Sequence, residues 1–204
     1  DIVYLLLATI LGTYILIKHK NKSELLMGIA TLILVLGDAF HLVPRMLNYF
    51  IDNDFNFYLG LGKLITSITM TIFYIFMYYI YFQVFNKKEN NKLTITIWFL
   101  AIIRLILCLF PQNKWLTNEN SYVFGIIRNI PFLFLGILII ILYFKERKND
   151  KIFKNIWLYI TLSFVFYMVV VLGASEIPIL GMFMLPKTIC YILVILSFKK
   201  KICN

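Results

Sequence analysis

The chain alternates between long apolar runs and short polar breaks. Seven runs can be drawn, over 2–17, 24–50, 58–85, 93–110, 122–144, 152–172 and 177–198. Long runs of this kind with few charges mark membrane spans, and a span must cross a hydrocarbon core about 30 Å thick. The second and third runs exceed that need, which predicts tilt or an interfacial extension. The expected fold is all-α: a polytopic integral membrane protein, a bundle of seven transmembrane helices forming one domain over 1–204.

Composition sharpens this. The chain is 61% hydrophobic and 15% charged, whereas soluble domains run about 45–50% apolar and about 25% charged. A cytosolic enzyme, a nucleic-acid binder and a disulfide-stapled secreted domain are excluded. A net charge of +10 could suggest nucleic acid as a partner, but its distribution says otherwise. Most basic residues sit in four tracts: Lys18/Lys20/Lys22, Lys87/Lys88/Lys92, Lys145/Arg147/Lys148/Lys151/Lys154 and Lys199/Lys200/Lys201. Each follows an odd-numbered run. Cytoplasmic loops carry such an excess, so the N-terminus is expected outside and the C-terminus in the cytoplasm of a multi-pass cell-membrane protein. The bilayer is the expected partner, and nucleic acid is not. The first run has no basic residues ahead of it and no small-residue cleavage pattern behind it, so it reads as a span rather than a signal peptide. Cys108, Cys190 and Cys203 are too scattered to form a disulfide framework.

Candidate chemistry lies where ionisable residues interrupt the spans, because such residues are costly and by default face a functional interior. The second run carries Asp38, His41 and Arg45 at i, i+3 and i+7, on one helical face. The third opens with Lys63 and continues through Thr66, Ser67 and Tyr74. Further along are Arg104, the pair Arg128-Asn129, Ser163 with Tyr167, and Glu176 followed by Lys187, Thr188 and Tyr191. Counting about 1.5 Å per residue from the outer end puts Asp38 and Tyr167 roughly 8 Å deep, Arg128 about 10 Å, Arg104 about 12 Å and Lys187 about 15 Å. Arg45, Lys63 and Glu176 come out nearer the rim. Six spans thus converge on one polar layer, while the cytoplasmic halves stay apolar.

Pro44, Pro131 and Pro186 adjoin this layer. Each is expected to free a carbonyl four residues earlier, at Phe40, Ile127 and Met182. Irregular backbone at membrane depth is tolerated where it is buried in protein or lines a wet cavity, so kinked helices around a pocket are expected. Arg104, Arg128 and Lys187 against Asp38 leave a positive surplus, which an anionic partner would complete: a small molecule or a lipid headgroup. Arg suits bidentate recognition of carboxylate or phosphate.

Asp38 and His41 are the candidate catalytic pair, the carboxylate orienting the imidazole. The substrate-binding candidates are Arg45, Lys63, Tyr74, Arg104, Arg128, Asn129, Tyr167, Glu176 and Lys187. The structural alternatives are an ion pair of Asp38 with Arg104 or Arg128, and snorkelling of Arg45 and Lys63 to the surface. No metal or cofactor is expected. Two His without a His-x-x-x-His spacing do not suit zinc, and Lys187 has no carboxylate counter-ion in the third span for a retinal Schiff base.

Gly37-Asp38 followed by Phe55-Asn56-Phe57-Tyr58-Leu59-Gly60-Leu61 resembles the Gly-Asp and Phe-x-x-Gly-Leu region of the lysoplasmalogenase-like membrane enzymes. The second Asp motif of that family, in a later span, is missing here. The expected function is a membrane-embedded enzyme, of hydrolase or transferase type, acting on an anionic lipid or lipid-linked substrate at the outer leaflet. The alternative is a receptor or transporter for a small organic anion.

Overall fold

The computed structural model describes residues 2–51, 54–117, 122–173 and 176–203. They form seven helices: α1 (Ile2–Lys18), α2 (Lys22–Phe50), α3 (Asn56–Val84), α4 (Asn91–Leu109), α5 (Tyr122–Lys145), α6 (Ile156–Gly173) and α7 (Met184–Cys203). No strand occurs among the described residues. Six helices, all but α1, are long and apolar enough to cross a membrane. α1 is equally apolar but, at 17 residues, spans only about 26 Å. The protein is an all-α helical membrane bundle.

Local signals set the helix starts. Asn21 caps α2 by accepting the Glu24 amide at 3.0 Å, and the Glu24 carboxylate reaches back to the Lys20 amide at 2.7 Å. The first satisfies one of the donors that a helix start otherwise leaves unpaired, and the second ties down the chain just ahead of the cap. Asn90 caps α4 through the Lys92 amide at 3.0 Å.

The largest departure from the sequence pattern is in the seventh segment. The apolar run from 177 is not one helix: a 3-10 turn over Pro178–Phe183 precedes α7. Pro186 therefore lies in the first turn of α7, where its missing N–H would have no partner anyway. It starts the helix instead of kinking it. The expected release of the Met182 carbonyl does not occur, since the Met184 amide donates to Gly181 and Met182. Lys187, placed at mid-span by counting, belongs to this first turn.

Pro44 and Pro131 do lie inside helices. The Phe40 carbonyl, which Pro44 leaves without its usual amide, is turned towards α3. It would lie 2.2 Å from a Cβ at Gly62. A Cβ at Gly37 would meet Thr69 Oγ1 at 1.8 Å, so α2 and α3 pack backbone to backbone through small residues. The Thr66 hydroxyl donates across that contact to the Gly37 carbonyl at 2.8 Å.

Below this contact α3 is the centre of the bundle. Phe73, Tyr74, Met77 and Tyr78 are fully buried against Leu135, Ile139, Phe164, Val194 and Ile195. The aromatic stretch of α3 is packing, as its sequence suggests. Tyr74 meets Phe132 edge-on with centroids 5.2 Å apart, and the Tyr143 hydroxyl donates to the Met77 carbonyl at 2.9 Å.

The basic tracts gather at one end, where Lys87 pairs with Glu146 at 3.0 Å and Lys201 pairs with Asp150. Partial burial acts to raise the Asp150 pKa, but Lys201 and the Phe153 and Ile152 amides outweigh it and hold the carboxyl below its ordinary value. A carboxyl depressed in the folded state contributes stability above its unfolded pKa of about 3.9 and loses it as pH falls further. The thermal midpoint is expected to drop on acidification below about pH 4, and to drop less in Asp150→Asn. Equal acid sensitivity in the two proteins would refute this role.

Candidate functional site

At the end opposite the basic tracts, α2, α3, α5, α6 and α7 surround a cavity of about 460 Å³. Asp38, His41 and Arg45 all line it, as expected of one helical face. Lys63, Thr66 and Ser67 come from α3, Arg128 and Asn129 from α5, Tyr167 from α6, and Lys187, Thr188 and Tyr191 from α7. A second space of about 40 Å³ lies further towards the basic end. There the lining is Met70 of α3, Arg104 of α4, Phe132 of α5, and Ser163 and Phe164 of α6. Thr66, Ser67, Tyr167, Lys187 and Tyr191 line both and form the neck between them.

Two sequence candidates fall outside this arrangement. Tyr74 is fully buried beneath the floor, 3.5 Å from the Tyr191 hydroxyl, and lines neither space. Its phenol points into a packed aromatic core, which sequence spacing does not distinguish from a wet wall. Glu176 is exposed and lines neither space, because the 3-10 turn after it carries the chain back to the cavity only at Gly181.

The Asp38 side chain is buried and accepts a hydrogen bond from the Tyr4 hydroxyl of α1 at 2.5 Å. It forms an ion pair with neither Arg104 nor Arg128 among the described residues. No hydrogen bond joins Asp38 to His41 among the described residues, and His41 Nδ1 is buried without a partner. The expected orienting contact between the two is therefore not made.

Arg128 is held by a loop that the sequence reading did not single out. α4 ends in carbonyls with no helical donor. The Asn113 amide donates to Leu107 and Phe110, both at 2.8 Å, and the Trp115 indole donates to Cys108 at 2.7 Å. Both side chains then turn to Arg128: Asn113 Oδ1 accepts from its guanidinium at 2.6 Å, and the Trp115 ring lies 4.3 Å beneath it. A Cβ at Gly60 would meet the Trp115 carbonyl at 1.5 Å, so α3 fixes the loop from the other side. The signal for this clamp was a Pro-Gln-Asn sequence after an apolar run, which reads only as a turn.

Asn129 donates to the Gly125 carbonyl at 2.7 Å and accepts from the Tyr167 hydroxyl at 2.9 Å. Lys187 Nζ stands over two rings, 5.1 Å from Tyr167 and 5.5 Å from Tyr191. It also sits at the N-terminal end of α7, the positive end of the helix dipole. Arg104 is 2% exposed and stacks on the Phe132 ring at 3.3 Å. Its Nε and Nη1 meet no acceptor, and neither does the hydroxyl of the 1% exposed Ser163 beside it. None of Arg104, Arg128 and Lys187 has a carboxylate within ion-pair distance among the described residues.

Arg45 is exposed at the rim and Lys63 half-buried. No three His, Cys, Asp or Glu among the described residues are placed to share a metal ion. The class established by fold is a multi-helix membrane protein. No protein-family model, curated protein or solved structure matches the chain, so the lysoplasmalogenase-like resemblance stays confined to its fragment.

Proposed function

We propose that the protein binds an anionic ligand, a lipid headgroup, lipid-linked group or small organic anion, in the cavity between α2, α3 and α5–α7. One observation carries this reading: a buried guanidinium, Arg104, with two nitrogens lacking any acceptor, under a cavity that also holds Arg128 and Lys187. A buried unpaired charge costs several kcal/mol, and an anion entering the cavity offsets that cost. The positive-inside pattern of the tracts supports a mouth at the outer leaflet of the cell membrane.

A second reading makes the protein an enzyme of hydrolase or transferase type on such a substrate. His41 supports it: an imidazole on the cavity wall whose Nδ1 has no partner is able to take a proton. Asp38, the carboxylate beside it on the same face, would then serve the charged imidazole rather than the anion.

Native mass spectrometry of purified protein incubated with total membrane lipid tests the binding. Wild type is expected to retain an anionic species that folded Arg128→Ala loses. Retention of no anion by wild type would end the proposal. If the retained species is turned over, Asp38→Asn and His41→Gln separate the two readings. An enzyme loses turnover and keeps ligand in these variants, whereas a receptor or transporter shows no turnover to lose.

A further inference from the structure

The two spaces differ in size and lining, and that difference constrains the ligand. We infer that the ligand carries a compact monoanionic group of carboxylate size, which seats in the inner space against Arg104 and Ser163 while its body fills the outer one. This rests on the anion-binding reading above and narrows it.

Size comes first. At about 40 Å³ the inner space is less than a tenth of the outer one, so it seats a small group. A carboxylate has three heavy atoms in a plane. A phosphate monoester brings a tetrahedron of five and is the poorer match. Shape agrees with size: the Phe132 and Phe164 rings, 5.0 Å apart, wall the inner space together with Met70, which favours a planar group with its charge at one edge.

Donor chemistry is the second argument. The inner wall offers Arg104 Nε and Nη1 and the Ser163 hydroxyl, all buried and all without acceptors. Lys187 stands at the neck, and no carboxylate lines the inner space. Donors without acceptors beside such a space are the complement of an oxyanion. Asp38 lines only the outer cavity, so it does not compete for these donors. The outer cavity is more than ten times larger by volume and carries the polar rim, which leaves the rest of the molecule to be read there.

The test uses the full chain in detergent, with sodium acetate, sodium chloride and sodium phosphate as probes at matched ionic strength. The readout is the thermal midpoint as each salt is titrated. Acetate is expected to raise the midpoint of wild type saturably, and further than chloride or phosphate. Ser163→Val, which fills the inner space, is expected to abolish that response. Ser163→Ala keeps the space but loses a donor, and its apparent acetate affinity should fall about fivefold. If Ser163→Val does not fold, Ser163→Ala decides alone, and an undiminished response there overturns the inference.

Three other outcomes also overturn it. Chloride matching acetate would make the inner space a halide site. A phosphate response that Ser163→Val removes would show that the walls admit a tetrahedral anion. No acetate response at all would remove the inner seat. In that last case, an anion still retained by wild type and lost in Arg128→Ala leaves the binding proposal standing, and its absence takes both down.

Discussion

Arg104→Met is expected to yield a protein that is more stable without ligand and no longer binds it. Both effects come from one cause. Arg104 is almost fully buried, two of its nitrogens have no acceptor, and its compensation within the fold is the Phe132 face 3.3 Å away. A cation–π contact of this kind contributes about 2 kcal/mol when desolvated, less than the several kcal/mol that an unpaired buried charge costs. Met has similar length, packs well on an aromatic ring and brings no charge. Replacing buried ionic groups by apolar residues of similar volume has stabilised proteins by about 1–4 kcal/mol, and a gain in that range is expected here. Loss of a buried charged hydrogen-bonding partner costs binding about 2–5 kcal/mol, so affinity should fall at least roughly 30-fold. The check is a pair of thermal midpoints for each protein, with and without total membrane lipid. A variant that melts lower than wild type in the absence of ligand would mean that Arg104 is a structural group.

Gly62→Leu is expected not to fold, and Gly62→Ala to fold with reduced stability. A Cβ at this position meets the Phe40 carbonyl at 2.2 Å and His41 Cα at 2.8 Å, both backbone atoms that cannot swing aside. The helices must separate, and the Thr66 bond to the Gly37 carbonyl goes with them. Overpacking of this type costs about 1–3 kcal/mol or more, while the better helix propensity of Ala returns at most about 1 kcal/mol. Gly125 provides the control. It also lies in a helix, but a Cβ there has nothing within 4 Å, so Gly125→Ala should gain about 0.5–1 kcal/mol. Thermal midpoints in the order Gly125→Ala, wild type, Gly62→Ala are the expected result. Equal midpoints for the two Ala variants would show that the close approach of α2 and α3 is not limiting.

What could be read in the sequence follows from what membranes demand of sequence. Apolar runs must be long and basic loops must share a side, so the helices and the gathering of the tracts were legible. The Asp38, His41 and Arg45 face was legible because helical periodicity alone decides it. The break ahead of α7 was not, because an apolar run does not show where a 3-10 turn gives way to α-helix. The 3-10 turn over Pro178–Phe183 carries the chain further per residue than α-helix does. Tyr4 was invisible as the partner of Asp38, since a tyrosine in an apolar span looks the same whether its hydroxyl is buried on a carboxylate or anchored at an interface. Asn113 and Trp115 were invisible for a different reason. Their role depends on which carbonyls α4 leaves open and on how close Arg128 comes, and both are tertiary facts.

The close seam between α2 and α3 makes the two sides of the cavity mechanically unequal. On one side two helices are joined by backbone contact at Gly37 and Gly62 and by the Thr66 bond, so they move as one stiff plate. On the other, α7 enters through a 3-10 turn, a geometry with weaker hydrogen bonds. Thermal breathing concentrates where restoring forces are small. The width of the mouth is therefore expected to depend most on the approach to α7, with Asp38 and His41 held on the stiffer side.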